Sequence, residues 1–279
     1  MNWKKELKKD KRSDIIYIMV FKLYKQQPII IGLSGRAGSG KTSVAESIVP
    51  KGSFANSKHG AIWDHIFYAL PLYEFLSSKK NIKGINEESR KKYAIHETLY
   101  DLYGNSSLGM IPDYDTFIDK VNKIYDLQLD PTATKQRSFL QKAGDICRDG
   151  YEDCFCHWSI KKTLGLYRSY IKSLEEDDDE KPFIVLISDV RFENEAKSIL
   201  KMPNGYVIYF DADDETLNSR LMKRDGRIST PEQSSHISEQ QLSKVKDMAS
   251  FIVDTNNLSI EGQVNETLKL LGFLQEKHA

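Results

Sequence analysis

Polar and apolar positions follow two periods along this chain. Pro28–Leu33 (PIIIGL), Phe183–Ile187, Tyr206–Phe210 and Phe251–Val253 are short apolar runs rich in β-branched or aromatic residues. They predict buried strands. A further strand is expected around Ile66–Ala69, giving way to a helix at Pro71. Elsewhere apolar residues recur at helical spacing, over Ser43–Val49, Glu87–Tyr103, Asp115–Leu127, Thr134–Cys147, Asp153–Leu174, Phe192–Leu200, Asp214–Arg224 and Ile260–Leu274. One more helix is expected from Ser238, where SEQQ makes Ser238 the N-cap and Gln241 the N3 residue of a capping box. Strands alternating with helices predict an α/β fold, a parallel sheet covered by helices on both faces.

The helix-rich stretch at about 84–174 interrupts this alternation and reads as an insertion between strands. Residues 1–27 read as an N-terminal extension, and 28–279 as the main domain. The run EEDDDE (Glu175–Glu180) is a solvated loop. No internal repeat is present.

Charge narrows the choice of partner. Forty basic residues balance forty acidic ones in 279 residues, so nothing favours a nucleic-acid polymer or a membrane surface. The basic start MNWKKELKKDKRSD and the following IIYIMVF imitate a signal peptide. That apolar run is too short to span a bilayer, and no small-residue cleavage site follows it. A cytoplasmic protein is expected, in the host cytoplasm if the chain is viral. The cysteines are Cys147, Cys154 and Cys156. CFCH (Cys154–His157) lacks a second ligand pair, so buried thiols are expected rather than a metal site.

The chemistry concentrates in three places. The first is GRAGSGKT (Gly35–Thr42), which satisfies G-x-x-x-x-G-K-[ST] and lies between a predicted strand and a predicted helix, the context a phosphate-binding loop requires. Gly35, Ala37, Gly38, Ser39, Gly40, Lys41, Thr42 and Ser43 are the expected nucleotide-binding positions. Their backbone N–H groups would converge on phosphate oxygens, helped by the positive end of the helix. Lys41 would reach the β- and γ-phosphates of ATP, and the Thr42 hydroxyl would hold Mg²⁺. A P-loop of this kind does not by itself separate a kinase from a GTPase switch, a motor or a packaging ATPase.

The second place is RLMKRDGR (Arg220–Arg227). Arg220 and Arg224 share one helical face, where like charges repel unless an anion lies between them. Gly226 and STPEQSS follow, so 220–237 reads as a mobile lid. Arg220, Arg224 and Arg227 join Lys41 as the expected catalytic cations. Asn256 or Asn257, after the last strand, could border the adenine.

The third is ISDVRFENEA (Ile187–Ala196). Asp189 and Arg191 alternate on one side of an extended strand end, with Glu195 one helical turn beyond Arg191. A magnesium site wants the Asp but gains nothing from the Arg. An acceptor nucleotide wants a cation for its phosphate and carboxylates for hydroxyl or N–H groups. For Asp189 the metal and acceptor roles both stay open.

GLSGRAGSGKT, RSFLQKAGDICRDGYEDCFCHWS and ISDVRFENEA, with HISE after the lid, together resemble the bacteriophage-type deoxynucleoside monophosphate kinases among the P-loop nucleotide kinases. The D-V-R-F-x-N-E-A and R-x-x-x-Q-x-x-G strings are the more specific of these. The resemblance implies a P-loop NTPase fold and transfer of the ATP γ-phosphate, with Mg²⁺, to a deoxynucleoside monophosphate. It implies acceptor-site roles for Arg137, Gly144, Trp158, Asp189, Arg191 and Glu195, with Trp158 a flat contact for base or sugar. A homodimer is compatible with it. The family pattern F-A-D-P-L-K is replaced here by YALPLYEFL, with Leu70 in place of the Asp and Tyr73 in place of the Lys. Another P-loop small-molecule kinase, or a nucleotide-dependent binding protein with residual ATPase, are the alternatives.

Overall fold

A computed structural model of the chain describes residues 27–49, 56–58, 61–80, 87–104, 112–131, 136–174 and 181–278. Most of the N-terminal extension (1–26), the acidic run at 175–180 and Thr134 lie outside these residues.

The expected parallel sheet is present. Its strands are β1 (Ile29–Gly35), β2 (Asn56–Lys58), β3 (Ala61–Phe67), β4 (Phe183–Val190), β5 (Gly205–Asp211) and β6 (Phe251–Asp254). Their order is β2-β3-β4-β1-β5-β6. All neighbours run parallel except the β2–β3 edge pair, which is antiparallel. β1 therefore sits between β4 and β5. The chain leaves it for one side of the sheet and later crosses to the other, which opens a crevice at the carboxyl ends of the strands. With the glycine-rich loop at the end of β1, this is the α/β sheet of a P-loop NTPase.

The alternation within β1 divides the core. Ile29, Ile31 and Leu33 face one apolar layer, and Ile30 faces the other. The first layer is closed by α1 (Lys41–Ile48) and α12 (Ile260–His278), through Val44, Ala45, Ile48 and Leu271. The second is larger. It takes in α2 (Leu70–Lys80), α3 (Glu87–Tyr103), α4 (Tyr114–Asp126), α5 (Arg137–Arg148) and α6 (Cys154–Ser173), which all stand between β3 and β4 in the chain, and then α7 (Glu193–Leu200). After β5 come α8 (Asp214–Asp225), α9 (Pro231–Ser235), α10 (Ile237–Gln240) and α11 (Leu242–Met248). Among the described residues, no helix is long and apolar enough to cross a membrane.

Two differences from the sequence reading have local causes. The strand expected around Ile66–Ala69 is β3, ending at Phe67. The next helix begins at Leu70, so Pro71 lies in its first turn as expected, where a missing N–H costs nothing. The capping box at Ser238 does not form. His236 is the N-cap instead, its ring accepting the Ser238 N–H, and Gln241 accepts the Glu193 N–H at 2.9 Å. A capping box does close α9, from Thr230 to Gln233. The cysteines are all buried, and burial pushes the Cys154 thiol up to about 12.

Candidate phosphoryl-transfer site

A cleft of about 840 Å³ opens at the carboxyl ends of the strands. One wall is the glycine-rich loop. Gly35 (φ +139°) and Gly40 (φ +97°) hold backbone shapes that L side chains rarely adopt. A Cβ on Gly35 would meet the Phe210 carbonyl oxygen at 2.5 Å, and one on Gly40 would meet Gln263 Oε1 at 2.1 Å. Gly40 also caps α1 with no side chain over its first turn, leaving that turn's N–H groups to an anion. Lys41 is buried, with Nζ 3.4 Å from the Arg36 carbonyl oxygen and 3.8 Å from Asp189 Oδ1. Thr42 and Ser43 line the cleft beside it.

The end of β4 is not the simple extended strand its alternation suggests. Leu33 pairs with Ser188 and Ser34 with Val190, so Asp189 is skipped as a bulge. Asp189 has φ +69°, the only positive φ outside glycine among the described residues. Ser34 pins the bulge by donating its hydroxyl to the Val190 carbonyl at 2.8 Å. The kink places Asp189 Oδ1 3.8 Å from Lys41 Nζ and 3.5 Å from the Arg191 guanidinium.

Further lining comes from α5, α8 and residues 229–239, and it carries several arginines. Arg137 donates to Ser229 Oγ at 2.8 Å and stands 3.6 Å from Asp225. Arg224 grips Asp225 through two hydrogen bonds of 2.7 Å. Arg191 pairs with Glu239 of α10. These guanidiniums lie within one another's field. Burial, then Arg224 and Arg191, lower the proton affinity of Arg137. For Arg191 burial acts the same way, but Glu239 and Asp189 outweigh it and the net shift is upward.

Further polar contacts tie α9 and His236 to α5. Gln141 donates to the Gln233 carbonyl at 3.3 Å, and His236 Nε2 meets Asp145 at 3.0 Å. Leu72, Leu140, Phe155 and Phe192 add apolar surface to the lining.

Other expected site residues are placed differently. Arg220 does not face the arginine cluster. It donates to Thr255 Oγ1 (3.1 Å) and to the carbonyls of Thr255 (2.5 Å) and Leu258 (3.3 Å), tying α8 to the loop after β6. Arg227 pairs with Asp130 at 3.1 Å and is not part of the cleft wall. Trp158 also lies outside the wall. It is packed in the core with its indole N–H on Asp101 at 3.1 Å. Glu195 is buried as a support: it accepts the N–H groups of Arg191 (2.8 Å) and Phe192 (3.1 Å) and an Arg148 N–H at 2.8 Å. Gly144 serves Arg148 too, since a Cβ there would meet its Nη1 at 2.9 Å. Leu258, Ser259 and Ile260, rather than Asn256 or Asn257, border the cleft after β6. Asn256 instead accepts the Asp213 N–H at 2.9 Å.

The sequence reading missed Gln263, Asp225 and the clamp on Arg148. Its guanidinium lies over the rings of Phe155 (4.5 Å) and Phe192 (3.8 Å). Residues from distant elements meet at each of these points, and no local pattern marks them. Thr42 and Asp189 offer hard oxygen donors at the phosphate end, a set that fits Mg²⁺ held partly by substrate phosphates.

No family model matches the chain, and no curated protein sequence does. Solved structures do match. One is TT1252 from Thermus thermophilus, at 17% identity and a TM-score of 0.41, over 88% of this chain and 97% of that one. Another is shikimate kinase from Acinetobacter baumannii in complex with shikimate, at 10% identity and a TM-score of 0.33, over 88% and 93%.

Proposed function

We propose that this protein is a phosphotransferase that moves the γ-phosphate of ATP to a deoxynucleoside monophosphate. The observation that carries the reading is two sets of cations lining one cleft. One is Lys41 in the glycine-rich loop, and the other is Arg137, Arg191 and Arg224, with Arg224 and Arg191 in the field of Arg137. One polyphosphate needs the first set. A second phosphate needs the other, because guanidinium forks match phosphate oxygens and a lone hydroxyl acceptor would not call for three of them.

The chain's own groups have separate tasks. The loop N–H groups and Lys41 hold the donor phosphates. Thr42, with Asp189 close by, would hold Mg²⁺, which when bound neutralises charge on the phosphate oxygens. Arg137 and Arg191 fix the acceptor phosphate, and Arg224, on the lid helix, neutralises charge spread over the transferred group. Leu72, Leu140, Phe155 and Phe192 give the acceptor's nucleoside an apolar bed. Closing the lid excludes water, and no covalent intermediate is needed.

The test is an acceptor panel with ATP and Mg²⁺, reading phosphorylated product. Deoxynucleoside monophosphates should be phosphorylated, and the matching nucleosides should not. Product from nucleosides or non-nucleotide acceptors alone would replace this reading with another small-molecule kinase. ATP turnover without acceptor dependence would replace it with a binding protein that hydrolyses ATP.

A further inference from the structure

Asp225 is the last residue of α8, and the proposed transfer does not use its carboxylate. Its position is costly in two ways. A carboxylate at a helix C-terminus opposes the helix dipole. Neighbours in a helix also project in different directions, so Arg224 must fold back to grip the adjacent Asp225. It nevertheless does so through both oxygens, at 2.7 Å each, with Arg137 at 3.6 Å on the same Oδ2. The Asp225 side chain is only 13% exposed. Gly226 follows in the left-handed conformation (φ +69°) with open space around it, a point where the chain can swing.

We propose that Asp225 is an internal occupant of the phosphate site. It holds Arg224 and Arg137 as a pair when no ligand is present, and an incoming phosphate monoester displaces it. A carboxylate gripped by two parallel N–H bonds has the same fork geometry as a phosphate edge. Without such an anion, Arg137 and Arg224 would stand in each other's field without the carboxylate that both now contact, whereas Arg191 has Glu239 and Asp189. Asp225 is thus a positioning residue that sets the threshold for binding. Only a ligand that competes with it for the arginines closes the site productively. This rests on the arginine set being a phosphate site.

The test titrates inorganic phosphate into the full-length wild type and into Asp225→Asn, Asp225→Glu and Glu193→Gln, by calorimetry at one pH and ionic strength. Glu193→Gln removes a surface carboxylate outside the cleft and serves as the charge control. Asp225→Asn should bind phosphate at least about threefold tighter than wild type, the scale of one partly exposed charged pair. Asp225→Glu and Glu193→Gln should stay near wild type. The Asn variant should also lose lid protection in hydrogen exchange without phosphate and regain it with phosphate. Equal or weaker phosphate binding by Asp225→Asn overturns the proposal, as does an equal gain in Glu193→Gln or no binding by any form. Should the Asn variant not fold, Asp225→Ser carries the same prediction. Phosphate binding is read without turnover, so an acceptor panel that fails leaves this exchange standing, and the converse holds.

Discussion

Asp189 lies at the end of β4 and Lys41 opens helix α1, and their charged groups stand 3.8 Å apart because the end of β4 bulges. An extended residue at 189 would have kept the ladder regular. The left-handed conformation, φ +69°, costs an Asp about 1–2 kcal/mol. That cost secures an acid beside the P-loop lysine. Asp189→Gly should therefore keep stability within about 1 kcal/mol of wild type, since glycine adopts this backbone freely. Its phosphoryl transfer should fall at least about 100-fold. Asp189→Val should lose about 2 kcal/mol or more, because a β-branched residue fits this conformation worst. Urea unfolding beside turnover measures both. A Gly variant with normal turnover would remove Asp189 from the mechanism.

Gly40 is constrained twice, by its φ of +97° and by the Gln263 amide lying against its Cα. Gly40→Ala should cost about 2 kcal/mol or more and abolish ATP binding. Gln263→Ala removes the clash at 2.1 Å but not the backbone strain. The double variant should thus recover part of the stability and little of the ATP affinity. Full recovery of both would show that crowding alone makes Gly40 necessary.

Much of this was legible beforehand where a local rule decides. The strand–glycine loop–helix unit at 29–48 and the order of strands and helices follow from period and spacing. What was not legible depends on meetings between distant segments. Nothing near Arg220 in the sequence shows that Thr255 and Leu258 will take its hydrogen bonds. Nothing near Glu195 shows that Arg148, 47 positions away, will claim one of its oxygens. The bulge at Asp189 escaped because alternation predicts extended backbone, and a single skipped residue leaves the same pattern of apolar letters.

Trp158 separates packing from recognition. Its ring lies in the core and its N–H is committed to Asp101 at 3.1 Å. Trp158→Phe should lose about 1–3 kcal/mol of stability through the lost volume and hydrogen bond. The acceptor KM should change less than about twofold if the residue never touches ligand. A large rise in that KM with intact stability would return Trp158 to the acceptor site.

Glu195 gives a pH dependence with a definite sign. Burial raises its carboxyl above the ordinary value of 4.5, against the pull of Arg148 and two backbone N–H groups. A carboxyl raised on folding binds its proton more tightly in the native state. Its stabilising contribution is complete below 4.5 and is lost as pH rises through the folded value. Glu195→Gln mimics the protonated form and does not titrate. The stability of wild type relative to Glu195→Gln should therefore fall as pH climbs from 4 towards neutrality. A difference that grows with pH would mean that Arg148 outweighs burial. Glu195→Ala should cost about 3–5 kcal/mol, because it strands the half-buried Arg148 guanidinium.

Arg220 tests whether the lid helix serves the donor base as well as the phosphates. Its guanidinium is spent on Thr255 and Leu258, the segment that borders the cleft after β6. An arginine clamping the transferred group would act mainly in the transition state, and its loss would lower kcat and kcat/KM together. An arginine that shapes the base loop acts on the bound nucleotide throughout, so its loss appears in the donor KM. Arg220→Ala should raise the KM for ATP about tenfold, while the acceptor KM changes little and kcat falls less than about threefold. Arg224→Ala, which removes the lid cation that faces Arg137, should do the reverse and depress kcat most. Matching kcat losses in the two variants would put both arginines on the phosphates.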